Sequence, residues 1–142
     1  MSIFGVVCEC NPYHSGHGKL IAEARRRGAD ALVAVMSGDF VQRGEPALLS
    51  KFDRAADLAR QGFSLVFELP VRYSLSSSER FAAASVGLLD SLGAVDTLFF
   101  GSECGDAGLH LLGGIGESVN WNGCSTALMP TSPSVTTLRI LL

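Results

Sequence analysis

The chain has 142 residues, 47% of them hydrophobic and 18% charged, and a formal net charge of −3. That size suits one domain with a real core, and the balance of apolar to charged residues excludes a disordered chain. No apolar run is long enough to span a membrane and no basic-then-apolar leader opens the chain, so a cytoplasmic protein without a membrane partner is expected.

Taken in chain order, the apolar run Ile3 to Val7 predicts a buried strand, broken at Asn11-Pro12. His14-x-Gly16-His17 follows, after which Leu20, Ile21 and Ala24 mark the inner face of a helix. Helical spacing then ends three times at a glycine, Gly28, Gly62 and Gly93, and each glycine leads into an apolar run. Those runs are Leu32 to Val35, Leu65 to Leu69 and Leu98 to Phe100, the pattern of a left-handed helix cap followed by the next strand. Ser50 is placed to cap a helix with Phe52, Ala55, Ala56 and Ala59 on one face, and Ser77 or Ser78 to cap one that buries Phe81, Ala84, Leu88 and Leu92. Continuously apolar strands alternating with helices predict an α/β fold, a doubly wound parallel sheet.

After Asp106 neither periodicity persists, through Gly113-Gly114-Ile115-Gly116 and on to Pro130-Thr131-Ser132-Pro133. Residues 1–106 are therefore read as one α/β domain, and 107–142 as an irregular, unpacked tail. A truncated or frame-shifted product is expected, with a natural short variant or a fragment as alternatives.

The motif blocks fall where ligands of such sheets bind, after the carboxyl ends of the strands. His14 to His17 follows the first strand, Ser37-Gly38-Asp39 the second, Glu68-Leu69-Pro70 the third and Gly101-Ser102-Glu103 the fourth. At the first, two imidazoles and a glycine meet the N-terminus of a helix, whose bare amides and dipole suit a triphosphate. A His-x-x-His pair also suits a metal, but no Cys or acidic residue accompanies it at ligand spacing on that helix, so no metal site is expected. The four cysteines, Cys8, Cys10, Cys104 and Cys124, form no Cys-x-x-Cys pair; Cys8 and Cys10 read as small core residues, with a redox pair as the minority reading.

The first loop, Gly5-x-x-x-Glu9-x-Asn11-Pro12-x-His14-x-Gly16-His17, resembles the signature of the nucleotidyltransferase superfamily related to class I aminoacyl-tRNA synthetases. With Val35-Met36-Ser37-Gly38-Asp39-Phe40-Val41-Gln42-Arg43-Gly44-Glu45-Pro46-Ala47, Phe67-Glu68-Leu69-Pro70 and Phe99-Phe100-Gly101-Ser102-Glu103, it is similar to the bacterial tRNA(Met) cytidine acetate ligase family over about residues 3 to 106. The resemblance implies a Rossmann-like fold of that superfamily and a ligase that uses ATP and acetate to acetylate N4 of the wobble cytidine of elongator tRNA(Met). ATP, with Mg2+ on its phosphates, and that tRNA are the expected partners; DNA is not. Two other readings stay open: a nucleotidyltransferase acting on a cofactor precursor, and a nucleotide-binding fragment without catalytic output.

For this reading His14 and His17 are the candidate catalytic residues, donating to phosphate oxygens as charge builds on the α-phosphate and pyrophosphate. The nucleotide is expected along Val7, Cys8, Glu9, Cys10, Asn11, Pro12, Tyr13, His14, Ser15, Gly16, His17, Gly18, Lys19 and Leu20, with Gly101 beside the adenine or ribose. Asn11 either positions the nucleotide or fixes its own loop, and Glu9 is either functional or structural. Arg43, Lys51 and Arg54 are weaker candidates for substrate or tRNA, each with a surface role as the alternative. The acidic balance is awkward for RNA, and Arg25-Arg26-Arg27 reads first as a solvated helix end.

Overall fold

The structure is a computed structural model of the 142-residue chain, and it describes residues 1–102 and the backbone of the strand 134–139. Four parallel strands, β1 (Ile3–Cys8), β2 (Ala31–Ser37), β3 (Leu65–Leu69) and β4 (Thr97–Ser102), stand in the order β3-β2-β1-β4. Helices α1 (Ser15–Arg26), α2 (Lys51–Arg60), the short α3 (Val71–Ser74) and α4 (Ser78–Ser91) connect them. A fifth strand, β5 (Ser134–Arg139), runs antiparallel beside β4 from Thr97↔Arg139 to Ser102↔Ser134. One stretch inside the segment expected to be irregular is thus a strand; the remainder of 107–142, with Cys104 and Cys124, lies outside the described residues.

The sheet is covered on both faces, as continuously apolar strands require. On one face Phe4, Val6, Cys8, Leu32, Ala34 and Met36 pack with Ala24 of α1 and Leu58 of α2. On the other, Val33, Val35, Leu69 and Leu98 pack with Leu89 of α4. Gly5 lets α4 lie close against β1, since a Cβ there would come within 2.8 Å of Leu89 Cδ1 and 2.9 Å of Val95 Cγ1. The three helix-ending glycines have φ of 93° (Gly28), 99° (Gly62) and 60° (Gly93), the left-handed caps expected of them.

Two helix faces differ from expectation. In α2 the buried line is Arg54 and Leu58, with Ala55 packed beside it, whereas Phe52 is 75% exposed and Ala59 is on the outside. The wheel is turned because the buried position belongs to an arginine, which periodicity of apolar residues cannot signal. In α4, capped by Ser77, the fully buried line is Ala82, Ser85 and Leu89, and Phe81, Ala84, Leu88 and Leu92 flank it as partly buried neighbours.

The order β3-β2-β1-β4 reverses direction between β1 and β4, which makes that junction the topological switch point. Pairing of β1 with β4 is confined to Phe4↔Thr97 and Gly5↔Leu98, so beyond Gly5 these two strands no longer pair with each other. The other neighbour of β1 stays in register to the end, at Cys8↔Met36. The switch point, where a crevice is expected in such sheets, therefore lies beside the carboxyl end of β1, where the chain enters the His14 loop.

Candidate functional site at the carboxyl end of the first strand

The loop between β1 and α1 is shaped by its backbone. Cys10 sits at φ 46°, a left-handed conformation uncommon for a side-chain-bearing residue, and the Asn11–Pro12 bond is cis. His14 caps α1 with its ring: Nδ1 accepts the Gly16 amide at 3.0 Å, while His17 Nδ1 accepts the His14 amide at 3.2 Å. This is a reciprocal capping box built from two imidazoles in place of the usual Ser and Glu. Gly16 is required by it, because a Cβ would approach His14 Cε1 at 2.8 Å.

Each ring uses Nδ1 as an acceptor, so the neutral imidazole carries its proton on Nε2. The His14 ring is exposed and its centroid lies 4.0 Å from that of His17. His17 is only 4% exposed, stacks on Tyr13 at 5.5 Å, and leaves Nε2 buried without a hydrogen-bond partner. Of the two histidines expected to donate to phosphate oxygens, His14 lies exposed, whereas His17 lies buried beneath it. Burial, and then the neighbouring His17, hold the His14 ring neutral below the ordinary 6.5. No acidic residue stands in the first turn of α1 to compete with an anion, and Lys19 lies exposed on that helix.

Cys8 and Cys10 are both buried thiols, as expected of core residues. They are also coupled: the hydrogen bond between them raises the Cys8 thiol, with burial adding to the rise, and lowers Cys10. Cys10 falls to about 6, through Cys8 first and His17 next, against the opposing effect of burial.

The second loop, residues 38–50, is tied to the first by side chains whose roles the sequence left open. Glu9 Oε1 accepts the Gln42 amide at 2.6 Å, and Asn11 Oδ1 accepts the Leu48 amide at 2.7 Å. Gln42 in turn donates from Nε2 to Ser76 O and Ser78 Oγ, at 3.3 and 3.4 Å. Phe40 and Pro46 form an isolated antiparallel bridge within the loop.

Arg54, a weak candidate for substrate or tRNA with a surface role as the alternative, is not on the surface. It is 1% exposed, and its guanidinium donates to Glu9 O at 2.7 Å, Ser37 O and Leu49 O at 3.2 Å, and Gly38 O. A guanidinium has five donors in a rigid fork, and here the fork gathers carbonyls from the ends of β1 and β2 and from the loop between β2 and α2. Lys51 is likewise occupied, by Glu68 at 2.8 Å and Asp39 at 3.9 Å, and the Glu68 bond raises its pKa. Arg43 is exposed on the second loop.

The nucleotide positions of the first loop divide in the same way. Cys8 is buried, Val7 and Leu20 pack against the two core clusters, and Pro12, Ser15 and Lys19 are exposed. Gly18 keeps space for Tyr13, whose hydroxyl a Cβ would approach at 3.1 Å. Gly101 lies in the carboxyl half of β4, across the switch point from the end of β1. Sequence reasoning missed Gln42, Tyr13 as a stacking partner and the buried Ser37 hydroxyl, which has no partner.

A family model described as HIGH Nucleotidyl Transferase matches residues 1–118. The tRNA(Met) cytidine acetate ligase of Fervidobacterium nodosum is 48% identical over 107 residues, 75% of this chain and 25% of that protein. The tRNA(Met) cytidine acetate ligase of Clostridium acetobutylicum is 49% identical over 107 residues, 75% of this chain and 27% of that protein. The crystal structure of Thermotoga maritima TmcAL bound with alpha-thio ATP superimposes with a TM-score of 0.73 at 45% identity, covering 75% of this chain and 26% of the other. The chain thus spans about a quarter of the length of the relatives it matches.

Proposed function

The chain belongs to the HIGH nucleotidyl transferase family, and from that premise we propose that residues 1–106 form the nucleotide-binding domain of a tRNA(Met) cytidine acetate ligase. One observation carries this reading. His14 presents a ring whose Nδ1 is engaged by Gly16 and whose Nε2–H is left to donate, at the N-terminus of a helix with no acid in its first turn. Those are donors for a phosphate, set at the switch point of a parallel sheet. The relative crystallised with alpha-thio ATP supports the identity of the ligand.

The chemistry assigned to the site is attack of an acetate oxygen on the α-phosphorus of ATP. A P–O bond forms, the bond to pyrophosphate breaks, and acetyl-adenylate results. N4 of the wobble cytidine of elongator tRNA(Met) then attacks the acetyl carbonyl, and AMP leaves. In this scheme the His14 Nε2–H donates to an oxygen of the α-phosphate or of pyrophosphate, where charge accumulates. The α1 amides and Lys19 hold the phosphates, and His17 fixes the His14 backbone and ring from below. Gly101 leaves room for the adenosine across the crevice. Mg2+ travels with the ATP phosphates. The described residues contain no group of three or more His, Cys, Asp or Glu arranged to hold a metal, and no step is assigned to one. No described helix is long and apolar enough to cross a membrane.

Pyrophosphate release from ATP and Mg2+, measured with acetate and separately with 4′-phosphopantetheine, tests the proposal. Acetate-dependent release is expected. Release that depends on 4′-phosphopantetheine alone overturns the acetate reading in favour of a cofactor-type nucleotidyltransferase.

A further inference from the structure

In an α/β sheet the helix N-termini gather at the carboxyl edge and their C-termini at the other, and this chain sorts its cations by edge. Arg25, Arg26 and Arg27 end α1, and Arg60 ends α2. All four are engaged: Arg26 and Arg27 with Glu23, Arg60 with Asp57, and Arg25 with the carbonyls of Ala29, Asp30 and Gly62. At the carboxyl edge Lys51 and Arg54 are also engaged, but Lys19, Arg43, Arg72 and Arg80 have no carboxylate partner among the described residues. Their order follows the sheet. Arg72 and Arg80 come after β3, Arg43 after β2 and Lys19 after β1, a row in the order of the strands.

At the far end of that row an open cavity of about 560 Å³ lies between α3 and α4, lined by Arg72, Tyr73, Ser76, Arg80, Ala83 and Ala84. Arg72 lies over the Tyr73 ring, 4.5 Å from its centroid, and donates to the Tyr73 hydroxyl at 2.8 Å, which holds its guanidinium at the cavity. Arg80 stands in the first turn of α4 next to the exposed Glu79, with the helix dipole adding positive potential there. The cavity also touches the nucleotide site through the chain, because Gln42 binds the Ser76 carbonyl and its own amide is held by Glu9.

We propose that this cavity seats a phosphodiester of RNA, gripped by Arg72 and Arg80, and that the strand continues past Arg43 toward the His14 site. The proposal rests on the tRNA-directed reading above and adds to it a docking position. Both arginines line one opening, guanidiniums pair readily with phosphate oxygens, and such contacts are blind to base sequence. An acidic peptide is the competing ligand, and it lacks the regular phosphate spacing that a row of cations along three strands would follow.

The test uses the 142-residue chain and a fluorescein-labelled 17-nucleotide anticodon stem–loop of elongator tRNA(Met), with anisotropy read across a salt series. ATP affinity is measured calorimetrically on the same samples. Arg72→Ala combined with Arg80→Ala is expected to weaken RNA binding about tenfold and to make the salt slope shallower by about 1.4, the counterions of two single-strand phosphates. ATP affinity is expected to stay unchanged. The pair Arg72→Lys with Arg80→Lys, which keeps the charge, is expected to retain most of the RNA affinity, and it guards against misfolding of the alanine variant. RNA affinity equal to wild type in the alanine variant overturns the proposal. So does absence of RNA binding by the wild type, or tighter binding of a labelled poly-glutamate peptide than of the RNA. Loss of ATP binding by the wild type is a separate result, which strikes at the nucleotide reading alone.

Discussion

Replacing His14 by asparagine separates the two uses of its ring. Asparagine is a good N-cap and accepts the Gly16 amide as Nδ1 does now, but it has no group where Nε2–H stands. Unfolding free energy is expected to change by less than about 0.5 kcal/mol, while ATP affinity measured by calorimetry falls by about 1.5–3 kcal/mol, the worth of a hydrogen bond to a charged group. His17→Ala behaves differently, because that ring is buried, stacked on Tyr13 and bonded to the His14 amide. It is expected to lower stability by about 1–3 kcal/mol in urea unfolding, in addition to any effect on ATP. The cap also responds to pH. An imidazolium has no acceptor at Nδ1, and the His14 pKa is depressed in the folded protein, so its contribution is complete above 6.5 and is lost as pH falls through the lower folded value. The protection factor of the Gly16 amide, its exchange rate relative to the intrinsic rate at each pH, is expected to fall as pH is lowered through that range; unchanged protection would contradict the cap. Arg54 belongs to this scale as well. Removing it strands carbonyls at the ends of two strands, and Arg54→Ala is expected to cost about 3 kcal/mol or more in chemical denaturation.

The elements were legible wherever local chemistry decides them. Gly28, Gly62 and Gly93 announce helix ends because the left-handed cap suits glycine, and the runs after them are too apolar to lie outside a sheet. The face of α2 was not legible. Its buried position is held by Arg54, whose partners lie at residues 9, 37, 38 and 49, and no pattern within the helix encodes them. β5 was missed for a related reason: Ser134-Val-Thr-Thr-Leu-Arg carries β-branched residues, but the strand is defined by pairing with β4 far away in sequence. The contact of α4 with β1 depends on Gly5, and Gly5→Ala is expected to destabilise the fold by about 1–3 kcal/mol through overpacking against Leu89 and Val95. Thermal unfolding checks this, and an unchanged midpoint would mean that α4 yields without cost.

At the scale of the whole molecule, the site is a meeting of strand ends rather than a single motif. Glu9, Asn11 and Arg54 join the first and second loops, and Gln42 extends the tie to the start of α4. The His-x-Gly-His signature was legible because its imidazoles and glycine are contiguous and their hydrogen bonds are local. The ties were hidden because each is one ordinary polar residue until folding brings it to its partner. A chain spanning about a quarter of the length of its relatives carries this edge of the sheet. The most direct test of the account is to titrate ATP with Mg2+ into the isotopically labelled chain and follow its backbone amide resonances. Saturable shifts are expected at Gly16, His17 and Gly18 and at Gly101 across the crevice, with the amides at the opposite edge, such as Gly28 and Gly62, unmoved. Absence of saturable shifts at millimolar ATP, or shifts confined to residues away from the carboxyl end of β1, would contradict it.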